Sequence, residues 1–271
     1  MLSSGSLGNP ALPELIEATL AGGFCGLTLW PAAYHPSMPQ GVSFDELRTR
    51  LGDAGLPVLD VDATVVWAGA DDPGGPYYEE APQDAVLELA AELGATGVTT
   101  IVTGGAETSL DDVTEAFATA CDRAAAFELR THLEFSRSRP PADLLGALQV
   151  VEQADRPNGG IMLDAWHVHF GPGSFGDVAA IPPGRLTGVQ LCDTPEHEPE
   201  RFGYATRHER ELPGEGHADL PGLLRRLAAI NCPTPLTVEV FGTRRVEAIG
   251  ARAFAEQLGE ASRSLLAALP G

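Results

Sequence analysis

The sequence predicts an α/β protein folded as a single (β/α)8 barrel of the TIM type, one domain spanning residues 1–271. Three observations predict it. Apolar runs of strand length alternate with amphipathic helical stretches along the chain, the pattern of a parallel sheet built from β/α units. Eight such units fit into 271 residues with no length left for a linker or second domain. An open doubly wound sheet is the alternative, but no GxGxxG opens a helix after the first strand.

The elements follow in order. "MLSSGSLG" is the first strand and "GLTLW" (26–30) the second, followed by the helical "FDELRTRLGDAG". "LPVLDVDATVVW" gives the third strand with its loop, and "APQDAVLELAAELGATG" an amphipathic helix closed by Gly. "VTTIVTGG" is the fourth strand. In "SLDDVTEAFATACDRAAAF" a Ser N-cap and first-turn acids start the next helix, because they satisfy its unpaired amides and complement its dipole. "LRTHLEFS" is the fifth strand, before a helix over 140–154. "GGIMLDAW", a short segment over 174–180, and "LTGVQLCD" follow. A helix over 219–230, the strand "LTVEVFG" and a final helix over 246–268 complete the alternation.

Composition narrows the function. The formal net charge of −21 argues against a nucleic-acid partner, since phosphate-backbone binding draws its affinity from Lys and Arg. All 17 basic residues are Arg, so Schiff-base chemistry and a phosphate-loop lysine are excluded. The first residues lack a basic and apolar leader pattern, and no run reaches the roughly 18 apolar residues of a membrane span. A cytoplasmic protein without a membrane partner is expected. Cys25, Cys121, Cys192 and Cys232 show no metal-ligand spacing and read as reduced thiols without a role.

A barrel collects its functional residues at the C-terminal ends of its strands. Acidic or amide residues there are Glu134 in "THLEF", Asp164 in "IMLDAW", Gln190 in "GVQLCD" and Glu239 in "TVEVF", one on each of the last four strands. The first two intervals, 30 and 26 residues, are about one β/α unit. The third, 49 residues, contains the long loop 194–218. Two Glu, one Asp and an amide oxygen converging on one point would be costly to bury without a cation. An oxygen-rich set without Cys selects one divalent ion, Mn2+ or Mg2+, ahead of Co2+ and Zn2+. His169 lies further into the loop and receives no role, and His132 shares strand parity with Glu134 one layer deeper in the barrel. Trp30 and Trp67 follow strands two and three, where an indole walls a sugar pocket or simply packs. The stretch 70–80, "ADDPGGPYYEE", reads as a loop over the mouth.

The set Glu134, Asp164, Gln190 and Glu239 resembles the metal site of the xylose isomerase-like barrels, the sugar isomerase/epimerase superfamily. Asp164 with His167 matches that superfamily's D-x-x-H. "RELPGEGHAD" (210–219) resembles its R-x-x-P-G-E-G-x-x-D loop, and Gln190 with Asp193 its H/Q-x-x-D element. The resemblance extends over nearly the whole chain. It implies a metal-dependent isomerase or epimerase acting on a small carbohydrate or polyol, a ketose or inosose. Glu134 and Glu239 are then the catalytic pair. One removes a proton α to a carbonyl, the other returns it, and the metal stabilises the enediolate between. His167, Arg210 and Trp30 are the implied substrate-binding residues, while Glu215 and Asp219 serve the turn and a helix cap.

Two other functions are weighed on the same residues. A lyase expelling a hydroxyl after the same proton abstraction is the alternative, like the dehydroshikimate or keto-inositol dehydratases. The dehydroshikimate enzymes carry basic residues near strand three, and "LDVDATVVWAG" has none. An apurinic-site endonuclease would need a basic groove and further His ligands, which this acidic chain lacks. A homo-oligomer is compatible with either enzyme.

Overall fold

A computed structural model of the chain describes residues 1–39, 41–71 and 81–269. Most of the loop expected over the mouth, 72–80, lies outside the described residues. The strands form one closed parallel barrel in sequence order: β1 (Leu2–Ser3), β2 (Leu27–Leu29), β3 (Val58–Ala68), β4 (Gly97–Gly104), β5 (Arg130–Glu134), β6 (Gly159–Asp164), β7 (Leu186–Leu191) and β8 (Leu236–Val238). The ring closes where Leu2 pairs with Val238. Around it run α1 (Leu12–Ala21), α2 (Pro31–Tyr34), α3 (Phe44–Asp53), α4 (Gln83–Glu92), α5 (Leu110–Ala125), α6 (Leu144–Ala154), α7 (Ala165–His169), α8 (Phe202–His208), α9 (Leu220–Ala229), α10 (Thr243–Ile249) and α11 (Ala251–Ala267). Among the described residues no helix is long and apolar enough to cross a membrane.

Helix starts follow local chemistry. Ser43 accepts from the Glu46 amide, Asp143 from Gly146 and Asp219 from Gly222, while Ser109 and Asp112 form a reciprocal capping box. Several boundaries differ from the sequence-based expectation: the helix expected over 140–154 begins at Leu144, and two further differences change an element. Only Leu2–Ser3 of the first run pairs as strand; Ser4–Leu7 turns into a 3-10 helix, where the Ser4 hydroxyl accepts from the Trp30 amide at 3.0 Å. The single helix expected over 246–268 is two, because Gly250 takes φ +83 and a left-handed residue cannot continue an α-helix.

Apolar side chains fill the space between strands and helices, with Phe117, Val150 and Leu163 fully buried there. The barrel interior is polar. Thr28 of β2 donates to Asp60 of β3 at 2.5 Å and lies 3.5 Å from Thr237 of β8, across the lumen. His132 of β5 meets the Thr187 hydroxyl of β7 at 2.8 Å. That imidazole occupies the space above Gly97, where an added Cβ would lie 2.4 Å from His132 Nε2. His132 is thus a satisfied interior residue, as its strand parity predicts.

Candidate active site

Barrel shear brings the predicted residues to one level. Glu134 pairs with Met162, and Asp164 stands two residues further along β6, on the same face. Asp164 pairs directly with Gln190 of β7. Gln190 pairs with Thr237, and Glu239 follows two residues later, again on the same face. All four side chains are buried.

Asp164 ends β6 and caps α7. Its Oδ1 accepts from the Trp166 amide at 2.8 Å, which leaves Oδ2 for the site. The short helix then returns His167, three residues after the cap, to the same side. His167 Nε2 lies 3.7 Å from Asp164 Oδ2. Ligand atoms of Glu134, Asp164 and His167 all lie within 4.8 Å of one another, a spacing that suits a divalent metal. The sequence reading gives His167 to the substrate; the fold sets it equally beside the two carboxylates. Burial drives its pKa down to about 3 against the pull of Asp164, so the ring is neutral near pH 7.

Arg210, read from the sequence as a substrate-binding residue, is buried in the site with 3% exposure and borders its cavity. Its Nη2 stands 2.8 Å from Asp164 Oδ2 and its Nη1 3.4 Å from Glu239 Oε2. The approach to Asp164 is an ionic contact without hydrogen-bond alignment, so Oδ2 lacks a hydrogen-bonded donor. Burial opposes the Arg210 charge, and Asp164, Cys192, Glu239 and Glu134 outweigh it, raising the pKa above the arginine value. Burial also raises the thiol of Cys192, whose Sγ lies 3.7 Å from Arg210 Nη1.

Arg210 and Arg139, the latter 3.3 Å from Glu134 Oε2, do not balance the three carboxylates of this cluster. Glu239 accepts from Ser3 at 3.0 Å and faces Arg210, yet burial, with Asp164 and Glu134 nearby, pushes its pKa up to about 8. A carboxyl held that high becomes fully charged near pH 7 only when more positive charge arrives. The Gln190 amide oxygen, Asp164 Oδ2 and His167 Nδ1 are buried without hydrogen-bond partners. Unpaired oxygens around a charge-deficient cluster fit a divalent cation.

The loop carrying Arg210 is fastened by Asp193. Its Oδ1 accepts from the amides of Thr194 and Ala218, and its Oδ2 from Gly214, each at 2.9 Å. Gly214 has φ +86, and a Cβ on Gly216 would lie 2.4 Å from the Thr194 carbonyl, which explains the P-G-E-G residues. Asp219 caps α9 as expected. Glu215 lines a groove against α11 rather than the site.

A cavity of about 370 Å³ opens above the cluster, lined among others by Trp30, Glu134, Arg139, His167, Arg207 and Glu239. Trp30 stands over Gly5, where a Cβ would lie 2.6 Å from the indole, and its buried Nε1 has no hydrogen-bond partner. His169 packs edge-on against Phe170 instead of lining the cavity. Trp67 donates to Asp71 at 3.3 Å and is likewise absent from its walls. Sequence reasoning missed Arg139, Arg207 and Asp62. Arg139 follows β5 in "SRSRPP", a position the strand-end rule reaches; it meets Glu134 Oε2 at 3.3 Å. Arg207 sits on α8 and makes no ion pair among the described residues, and nothing in its sequence context marks it.

A model of the xylose isomerase-like TIM barrel matches residues 16–266. The chain belongs to that family. Within it, the chain is 28% identical over 238 residues to a 3-dehydroshikimate dehydratase of Pseudomonas aeruginosa, a match covering 85% of this chain. It spans 36% of that relative's length. Two solved structures share the fold. A xylose isomerase-like TIM barrel/4-hydroxyphenylpyruvate dioxygenase fusion protein has a TM-score of 0.80 at 24% identity, over 98% of this chain and 41% of its own. The IOLI protein with a bound zinc atom has a TM-score of 0.82 at 17% identity, over 98% and 97%.

Proposed function

We propose that the chain is a divalent-metal-dependent dehydratase of a small carboxylated hydroxyketone, the chemical class of 3-dehydroshikimate. The observation that carries this reading is the pair Arg139 and Arg207 on the wall of the cavity that also holds Glu134, His167 and Glu239. A guanidinium is the side chain best shaped to hold a carboxylate. The sequence argument against a dehydratase rested on a third strand without basic residues. In the fold the arginines come from the segment after β5 and from α8, so that objection lapses. The name of the Pseudomonas aeruginosa relative supports the same class.

Glu134, Asp164, Gln190 and Glu239 are the proposed ligands of the ion, with His167 beside them. A bound Mn2+ or Mg2+ supplies positive charge to the substrate carbonyl and the oxygens next to it. Arg139 and Arg207 hold the carboxylate and orient the ring. Trp30 Nε1 and His167 donate or accept at the remaining oxygens. Glu134 takes the proton α to the carbonyl, and the C–H electron pair becomes the double bond of an enediolate. As that pair returns, the bond to the β-hydroxyl breaks, the departing oxygen takes the proton that Glu134 has gained, and water leaves. With 3-dehydroshikimate, tautomerisation of the remaining ring yields 3,4-dihydroxybenzoate.

An isomerase or epimerase shares the first step and differs only in where the proton returns. The two glutamates on separate strands favour it as the second reading. Mn2+-loaded protein in D2O with 3-dehydroshikimate, and separately with ketoses and inososes, tests both. The dihydroxybenzoate ultraviolet spectrum should develop only with the first. Deuterium entering a ketose or inosose without elimination, and no reaction of 3-dehydroshikimate, would overturn the dehydratase reading in favour of the isomerase. Exchange with neither group sinks both.

A further inference from the structure

Gln190 is the unusual member of the proposed ligand set. A carboxylate offers two equivalent oxygens, but an amide has one end that accepts and one that only donates. Presented the wrong way round, its NH2 group would face a cation and repel it. An amide at this position therefore requires something to fix its rotation.

Asp62, on β3 across the barrel mouth, meets that requirement. Gln190 Nε2 donates to Asp62 Oδ2 at 2.6 Å, and both side chains are buried. An ionised carboxylate accepts hydrogen bonds and cannot donate them, so the end of the amide that meets Asp62 must be the nitrogen. Gln190 Oε1 is then the opposite end, buried and without a hydrogen-bonded donor. Burying an amide oxygen unpaired is costly, and a cation beside it removes that cost.

We infer that Asp62 is a positioning residue that fixes the Gln190 amide with its carbonyl oxygen available to the metal. The inference rests on the metal-site reading above. It acts through the Gln190 amide, which separates it from the simpler effect of another negative charge near a cation. Outer groups that orient a metal ligand usually change affinity by about 10- to 100-fold when removed.

Mn2+ affinity of the full chain, measured by titration calorimetry and by the electron paramagnetic resonance signal of free Mn2+, tests it without reference to turnover. The set is wild type, Asp62→Ala, Asp62→Asn, Gln190→Ala and the Asp62→Ala/Gln190→Ala double variant, each checked for folding by circular dichroism. Asp62→Ala should weaken Mn2+ binding by about 10-fold or more. Asp62→Asn, which keeps an accepting oxygen, should recover most of that loss. In the Gln190→Ala background Asp62→Ala should change affinity by less than about 3-fold, because no amide is left to orient. An equal loss in both backgrounds, or an asparagine no better than alanine, would show a charge effect and overturn the assignment. An unchanged Asp62→Ala affinity overturns it as well. If Asp62→Ala does not fold, Asp62→Asn against Asp62→Ser makes the same comparison. Folded wild type that fails to bind Mn2+ refutes the metal site itself, an outcome distinct from the others.

Discussion

Arg210 Nη2 lies 2.8 Å from Asp164 Oδ2, an ion pair between two almost fully buried side chains at the floor of the cavity. The same guanidinium reaches Glu239, so one fixed positive charge serves two carboxylates on β6 and at the end of β8. Asp164 can hold this position because its other oxygen is tied to the α7 amide of Trp166. The arginine therefore shares its charge with two of the proposed ligands while bordering the cavity.

Replacing Arg210 by Met is expected to destabilise the metal-free protein by about 3–5 kcal/mol, since it leaves buried carboxylates without their cation. Saturating Mn2+ should restore more stability to this variant than to wild type, because the ion supplies the missing charge. Urea unfolding of both proteins, with Mn2+ and with a chelator, checks this. A loss of the same size with and without Mn2+ would show that Arg210 and the ion do not share one electrostatic role.

Arg207 is the cleaner test of carboxylate binding, because it is exposed, lines the cavity and makes no ion pair among the described residues. If the proposed dehydratase reading holds, Arg207→Ala should raise KM for 3-dehydroshikimate about 10-fold, the equivalent of about 1.4 kcal/mol, with kcat within about 2-fold. Steady-state kinetics reads both constants. An unchanged KM would remove α8 from the recognition of the carboxylate.

Asp193 joins the end of β7 to the loop that carries Arg210. Asp193→Ala leaves the amides of Thr194, Gly214 and Ala218 without their acceptor, at a cost of about 3 kcal/mol or more. Hydrogen exchange should quicken first over 210–218, with β4 and β5 still protected. Uniform loosening of the whole barrel would argue that Asp193 supports the core and not one loop.

The alternation of strands and helices was legible because each β/α unit must bury one strand and one helix stripe, and that demand is written as apolar periodicity. The proposed ligands stand out for a related reason: one buried polar residue at each of four successive strand ends has no place in an apolar layer. What could not be read was set by contacts distant in sequence. Arg210 is recognisable as a loop arginine, but its insertion between Asp164 and Glu239 depends on how Asp193 folds the 210–218 loop. Arg139 obeys the same strand-end rule, but as a base it stands outside a pattern of acids and amides. Asp62 alternates with Asp60 along β3, a visible signal of two inward carboxylates. That only Asp62 reaches Gln190 follows from barrel closure. Gly250 likewise gave no notice that its φ would divide the last helix.

Asp60, the other inward carboxylate of β3, lies below the site and carries the expected pH dependence of stability. Burial raises its pKa from the ordinary 3.8 to about 6, although the hydrogen bond from Thr28 and the charge of the Met1 amine work in the opposite direction. Between those two values the folded protein keeps a proton that the unfolded chain has released. The folded state then binds more protons, so this group's contribution to stability falls as pH rises through the window and stays low above it. The full difference is equivalent to about 3 kcal/mol. Asn at this position keeps an oxygen for the Thr28 hydroxyl and has nothing to ionise. Asp60→Asn should therefore match wild type in stability near pH 3.5 and exceed it by about 2–3 kcal/mol at pH 8. Urea unfolding of the pair across this range measures the difference directly. A gap that is constant with pH, or one that favours wild type at pH 8, would mean that Asp60 is ionised in the folded barrel throughout and that its partners overcome its burial.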